Sequence, residues 1–252
     1  MPGQRDSIED PRSEASKRED IVPRGDYRSS PPGKLTFFVL RSLEPVLQYS
    51  ILAHGFGTSV LHRVGLRTLP SGLPAQTVGS VVKQNIWVTT LSRDPMTVDA
   101  AVAIAMLNAA SNSLSTYAFV TSVSSASNEG DFPQPALLIG STLYVAGLLT
   151  ELVAEIQRAR FKADPNNKGK VCTGGLWSLA RHINYGGYMM WRAGYAMAGG
   201  GYGLGALVAA FWAWDFSQRA IPVLSEYCEK RYGAQWESYR QKTPYKLNPY
   251  VY

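Results

Sequence analysis

Cysteine, histidine and charge are all scarce in this chain of 252 residues. With 2 Cys, a disulfide framework is not expected and two thiols alone cannot make a structural zinc site; no metal centre is expected. Charged residues make up 17%, well below the ~25% usual for soluble domains. No apolar run precedes Leu35, so a cleaved secretory signal is not expected and membrane insertion has to use internal spans. What the chain does have is aromatic: 6 Trp and 14 Tyr, with 45% hydrophobic residues overall. A disordered chain shows the opposite bias.

Residues 1–34 contain seven Lys/Arg and seven Asp/Glu, which leaves 18 basic and 12 acidic residues over 35–252. The body is therefore poor in charge and carries the whole net +6. Residues 1–33 read as a disordered cytosolic tail, too polar to bury apolar surface against its ordering entropy. Beyond it the apolar runs are long. Val46–Leu61 and Ala100–Val123 have no Asp, Glu, Lys or Arg, nor does Pro135–Thr150, and Tyr185–Trp214 has only Arg192. A bilayer span needs about 20 predominantly apolar residues. The pattern predicts an all-α, polytopic integral membrane protein with four to six transmembrane helices. Residues 34–156 are expected to form the N-terminal transmembrane helices and 157–252 a C-terminal membrane unit, whose basic face suits either a juxtamembrane anchor or an anionic cofactor. The stretch 73–92, apolar except for Lys83, reads as a re-entrant or amphipathic piece, and His54 and His62 as structural.

Residues 158–252 hold 13 basic and 5 acidic side chains, against 5 basic and 7 acidic over 35–157. Excess Lys/Arg in loops marks the cytoplasmic side, so 158–181 and 229–246 are expected to share that face. The apolar neighbours make this basic surface one for headgroups or a cofactor rather than for nucleic acid. Arg158 and Lys162, at i and i+4, share a helix face and suit a phosphate clamp. Arg181, His182, Asn184 and Tyr185 cluster at a helix entrance, where Gly186 and Gly187 let a ligand or another backbone come close.

The run Gln157-Arg158…Phe161-Lys162, Gly175-Leu176-Trp177…Ala180-Arg181-His182-Ile183-Asn184-Tyr185…Gly187, Cys228…Tyr232-Gly233 and Pro244-Tyr245-Lys246 resembles the C-terminal half of the delta-14 and delta-7 sterol reductases and the broader steroid 5-alpha-reductase-like membrane proteins. A weaker likeness is to isoprenylcysteine carboxyl methyltransferases, which bind S-adenosylmethionine. The resemblance implies a multi-pass endoplasmic reticulum enzyme that uses NADPH to reduce a carbon–carbon double bond in a sterol-like or terpenoid lipid. It implies cofactor contacts at Arg158, Lys162, Trp177, Arg181, His182, Asn184, Tyr185 and Tyr232. The alternatives are an S-adenosylmethionine-dependent methyltransferase on a lipid-linked carboxylate, or a non-catalytic sterol-binding protein of the same fold. Tyr188 stands where the sterol reductases carry an acid, Ala220 and Leu224 where they carry a base and an acid, and Tyr227 where they carry Arg. The replacement donors are Asp215, Tyr188 and Tyr227, with Arg219 turned either to Asp215 as an ion pair or to a cofactor phosphate.

Overall fold

The computed structural model describes residues 10–20, 29–63, 75–120 and 134–251, without the side chains of Val60, Leu61 and His62. The described residues form helices and no strand. In order these are α1 (Glu14–Glu19), α2 (Pro31–His54), α3 (Thr58–Arg63), α4 (Ala75–Ile86), α5 (Val98–Val120), α6 (Pro135–Ala163), α7 (Ile183–Asp215), α8 (Ile221–Tyr232) and α9 (Ala234–Lys242). Local chemistry sets several ends. Proline occupies the first turn of α2 and α6, where its missing N–H costs nothing. Gly55 caps α2 in the left-handed conformation at φ 63°. The α4 stretch, read from sequence as re-entrant or amphipathic, runs into a π-helical turn at Trp87–Leu91 and packs within the bundle.

α6 and α7 form the antiparallel centre. Glycines let them touch backbone to backbone: a Cβ on Gly140 would sit 2.5 Å from Ala198 N, and one on Gly187 would sit 2.6 Å from Glu151 N and 2.8 Å from Gly147 O. Small residues of this kind drive helix association where lipid gives no hydrophobic advantage. The helix α7 breaks within its Gly-rich run, at Gly201 with φ 78°.

The bundle is inverted relative to a water-soluble core. Arg41, Glu44, Gln48, Lys83, Gln84, Asn108, Asn112 and Arg192 are buried inside, while Leu43, Val46, Met106, Leu107, Leu138, Leu149, Leu207, Phe211 and Trp214 are exposed. Such an exterior is stable only against hydrocarbon or a partner. Two helices, Pro135–Ala163 and the continuous run Ile183–Tyr232, are long and apolar enough to cross a membrane. α2 and α5, at 24 and 23 residues, are also long enough at about 1.5 Å per residue, but their inward faces are polar. The fold is that of an all-α membrane protein. Within the segment read as a disordered tail, α1 is helical and docks on α8: Ser13 N donates to Glu226 Oε1 at 2.8 Å, and Ser16 Oγ bonds the same carboxylate.

Candidate cofactor site

A cavity of about 470 Å³ opens where the end of α6 meets α8, α9 and the loop between α6 and α7. α6 delivers Glu155, Arg158 and Lys162 one turn apart along one face, as i,i+3 and i,i+4 spacing requires. The loop that follows folds back through a short helical turn at Gly175–Ser178. That turn is fixed because Leu176 N donates to Gln157 Oε1 at 2.9 Å and the Trp177 indole to Ala154 O at 2.9 Å. Trp177 thereby becomes a buried wall, with the Arg158 guanidinium 5.5 Å from its ring centroid.

Of the twelve residues proposed from sequence, Arg158, Lys162, Trp177, Arg181, His182, Tyr227 and Tyr232 line this cavity. Each is also engaged by the protein. Arg158 Nη2 bonds Glu155 Oε2 at 2.7 Å. Lys162 Nζ donates to Tyr232 Oη at 3.2 Å and to Lys170 O at 2.5 Å. Arg181 Nη1 donates to the carbonyls of Thr243 at 2.8 Å and Pro244 at 3.2 Å, while Arg181 N and His182 N bond Tyr245 O and Lys246 O. The Pro244-Tyr245-Lys246 segment is thus strapped to the start of α7, and Arg181 is first of all a clasp. A Cβ on Gly186 would lie 2.2 Å from Leu247 O. What comes close to Gly186 and Gly187 is backbone, not a ligand.

The other five lie behind the cavity or away from it. Asn184 Nδ2 donates to Glu155 Oε1 at 2.8 Å, and so acts on the site through Glu155. Tyr185 stacks on His182 at 5.7 Å and on Phe216 at 4.8 Å. The Tyr188 hydroxyl accepts from Arg192 Nε at 3.0 Å inside the bundle. Asp215 and Arg219 form a two-pronged ion pair at 2.8 and 2.7 Å, so Arg219 turns to the carboxylate and not toward the cavity. Asp215→Asn should therefore lower thermal stability by about 1 kcal/mol or less, as for other half-exposed pairs. It should leave turnover within twofold, which enzyme assays on the variant would check.

Sequence reading missed several lining groups. Glu155 is the most consequential, a 5% exposed residue that gathers Arg158 and Asn184; its i,i+3 spacing to Arg158 was the available signal. Arg93 and Asp94 arrive from a distant segment and left no local signal, whereas Arg231 lies within the basic stretch 229–246 beside Tyr232. The lining sums to six Arg/Lys (Arg93, Arg158, Lys162, Lys168, Arg181, Arg231) against Asp94, Glu155 and Asp164. Burial pushes the Cys172 thiol and the Tyr239 phenol up, so neither is a ready nucleophile.

Residues 85–243 match the family model described as protein of unknown function (DUF1295). The chain belongs to the DUF1295 family. Among its relatives is the protein named Probable O-methyltransferase ustE of Ustilaginoidea virens, 35% identical over 240 residues that cover 85% of this chain and 84% of the relative. The Delta(14)-sterol reductase ERG24B of Gibberella zeae is 28% identical over 44% of the chain and 33% of its own length. The 7-dehydrocholesterol reductase of Danio rerio is 32% identical over 34% of the chain and 18% of its own length. This DUF1295 member thus resembles the sterol reductases over a part of each and the ustE protein over nearly the whole of both.

Proposed function

We propose that the chain is a membrane-embedded O-methyltransferase that takes S-adenosylmethionine into this cavity and methylates an oxygen of a lipophilic acceptor. One observation carries the reading: Asp215 and Tyr188, two of the three candidate proton donors, lie outside the cavity lining and are committed to Arg219 and Arg192. Saturating a carbon–carbon bond requires a proton as well as a hydride. Methyl transfer to oxygen requires no acid beside the acceptor: an ionised carboxylate would attack directly, and a hydroxyl would pass its proton to a lining carboxylate such as Asp94, with S-adenosylhomocysteine as the leaving group. The nearly whole-length likeness to the ustE protein supports the same choice.

The mixed-sign lining fits the cofactor's zwitterionic end. Arg158 and Lys162 would hold its carboxylate through charge-assisted bonds, Glu155 or Asp94 its ammonium group or ribose hydroxyls, and the Trp177 or Tyr232 ring its purine face. S-adenosylmethionine supplies, when bound, a methyl group on a positively charged sulfur. The chain's own part is to orient that group and to exclude water with Trp177, Trp236 and Tyr239.

NADPH-dependent reduction of a sterol-like or terpenoid double bond is the second reading. It is favoured by the six-to-three excess of cations in the lining and by the partial sterol reductase likeness, with Tyr227 the donor left in place. Equilibrium binding to purified protein in lipid nanodiscs separates the two. Saturable S-adenosylmethionine binding, displaced by S-adenosylhomocysteine and not by NADPH, is expected; the opposite pattern would establish the reductase reading. The basic loops support a reading in which the cavity end faces the cytosol from an endoplasmic reticulum membrane. A glycosylation acceptor appended at the C-terminus should stay unmodified, and a glycosylated tag would reject that orientation.

A further inference from the structure

Among the described residues of the bundle, one buried cation has no carboxylate beside it. Arg41 pairs with Glu44, and Lys83 pairs with Glu151, which also accepts from the Trp191 indole at 2.7 Å. Arg192, 4% exposed, is the third buried cation. No carboxylate among the described residues lies within salt-bridge distance of it. Its partners are neutral: Tyr188 Oη at 3.0 Å, Asn112 Oδ1 at 3.1 Å and Asn108 Oδ1. A guanidinium has five N–H donors, so each terminal nitrogen keeps a second hydrogen beyond these three bonds. Asn112 also donates to Glu44, but that carboxylate is already neutralised by Arg41. An ionisable group inside a membrane bundle is costly and marks a functional site by default.

Arg192 opens onto a second cavity of about 300 Å³, distinct in its lining from the cofactor cavity. Arg192, Asn112, Tyr195, Ser111 and Ser115 are its polar lining, and Leu107, Leu207, Phe211 and Trp212 give it apolar walls. Leu107, Leu207 and Phe211 are 51%, 66% and 52% exposed on the outside of the bundle, so the wall reaches the lipid-facing surface. The arrangement is a buried cation without a counter-ion at the end of an apolar slot.

We propose that this second cavity binds a lipophilic organic acid, its carboxylate on Arg192 and Asn112 and its apolar body along α5 and the C-terminal half of α7. Arg192 lies nine residues beyond Ile183, about 14 Å along the helix from the cytosolic end and near the middle of a ~30 Å hydrocarbon layer. A phospholipid's charged headgroup stays at the interface, whereas a free acid reaches that depth in its neutral, protonated form and ionises beside the guanidinium. Because Arg192 is not in the cofactor lining, the carboxylate acts as an anchor and is not the reacting atom. The inference concerns the acceptor side and stands with either cofactor.

Binding of tritiated palmitate and of tritiated methyl palmitate to the full-length protein in phosphatidylcholine nanodiscs, without cofactor, tests it. The acid should bind about tenfold more tightly than the ester, the worth of one charge-assisted contact. Arg192→Gln should erase that preference and Arg192→Lys should keep most of it. If Arg192→Gln fails to fold, Leu207→Trp, which fills the lipid-facing mouth, still decides: it should weaken the acid. Equal binding of acid and ester, an undiminished preference in Arg192→Gln, or unchanged affinity in Leu207→Trp overturns the proposal. Displacement of the acid by phosphatidylglycerol overturns it too, by showing a headgroup site.

Discussion

Gly187→Val is expected to abolish the folded protein, whereas Gly203→Ala in the same helix should be neutral or slightly stabilising. A side chain at Gly187 would enter the backbone of α6, 2.6 Å from Glu151 N and 2.8 Å from Gly147 O. Neither atom can swing aside as a flexible side chain does. Overpacking a well-filled core costs about 1–3 kcal/mol, and a collision with backbone lies at or above the top of that range. Parting the helices there also pulls Glu151 from Lys83 and Trp191, and breaking a buried pair adds about 3–5 kcal/mol. Gly203 meets nothing within 4 Å, so alanine there relieves up to about 1 kcal/mol of helix cost. Fluorescence-detected size exclusion after a heating series would show the contrast. A folded Gly187→Val protein would contradict the close contact between α6 and α7.

Glu155→Gln is the second large expected effect, and its sign depends on the cofactor. Glu155 is 5% exposed, lines the cavity, and accepts from Arg158 at 2.7 Å and Asn184 at 2.8 Å. The amide keeps the shape and removes the charge. It frees Arg158 to leave its place over Trp177 and takes away the acceptor proposed for the ammonium group or ribose. Loss of a charge-assisted bond is worth about 1.5–3 kcal/mol, so S-adenosylmethionine should bind on the order of tenfold or more weakly. A phosphorylated dinucleotide would gain from removal of the same negative charge. Calorimetric titration of both ligands into the variant checks the sign, and stronger NADPH binding would favour the reductase.

The sequence made the helices legible because their runs are apolar, and it located one flank of the site because Arg158, Lys162, Trp177 and Arg181 to Tyr185 lie in two short segments. The inverted interior was harder to see. Whereas Arg41 and Glu44 are i,i+3 neighbours on one helix, Lys83 and Glu151 look like isolated interruptions until α4 and α6, distant in sequence, bring them together. For the same reason Arg93 and Asp94 joined the cavity without warning. Arg181 and Asn184 carried a resemblance to cofactor contacts, yet their bonds run to the C-terminal strap and to Glu155. Spacing could place Asp215 within reach of Arg219, and the observed ion pair is the outcome that spacing allows.

Label transfer tests the central claim most directly. Membranes containing the full-length protein are given methyl-tritiated S-adenosylmethionine in one arm and NADPH deuterated at the transferable hydride in the other, with a total lipid extract of the source cells as acceptor. Tritium is expected in a lipid-soluble product, as a methyl group removed by ether or ester cleavage, with no deuterium incorporated. Deuterium bound to carbon in the lipid fraction, with no tritium transferred, would contradict it.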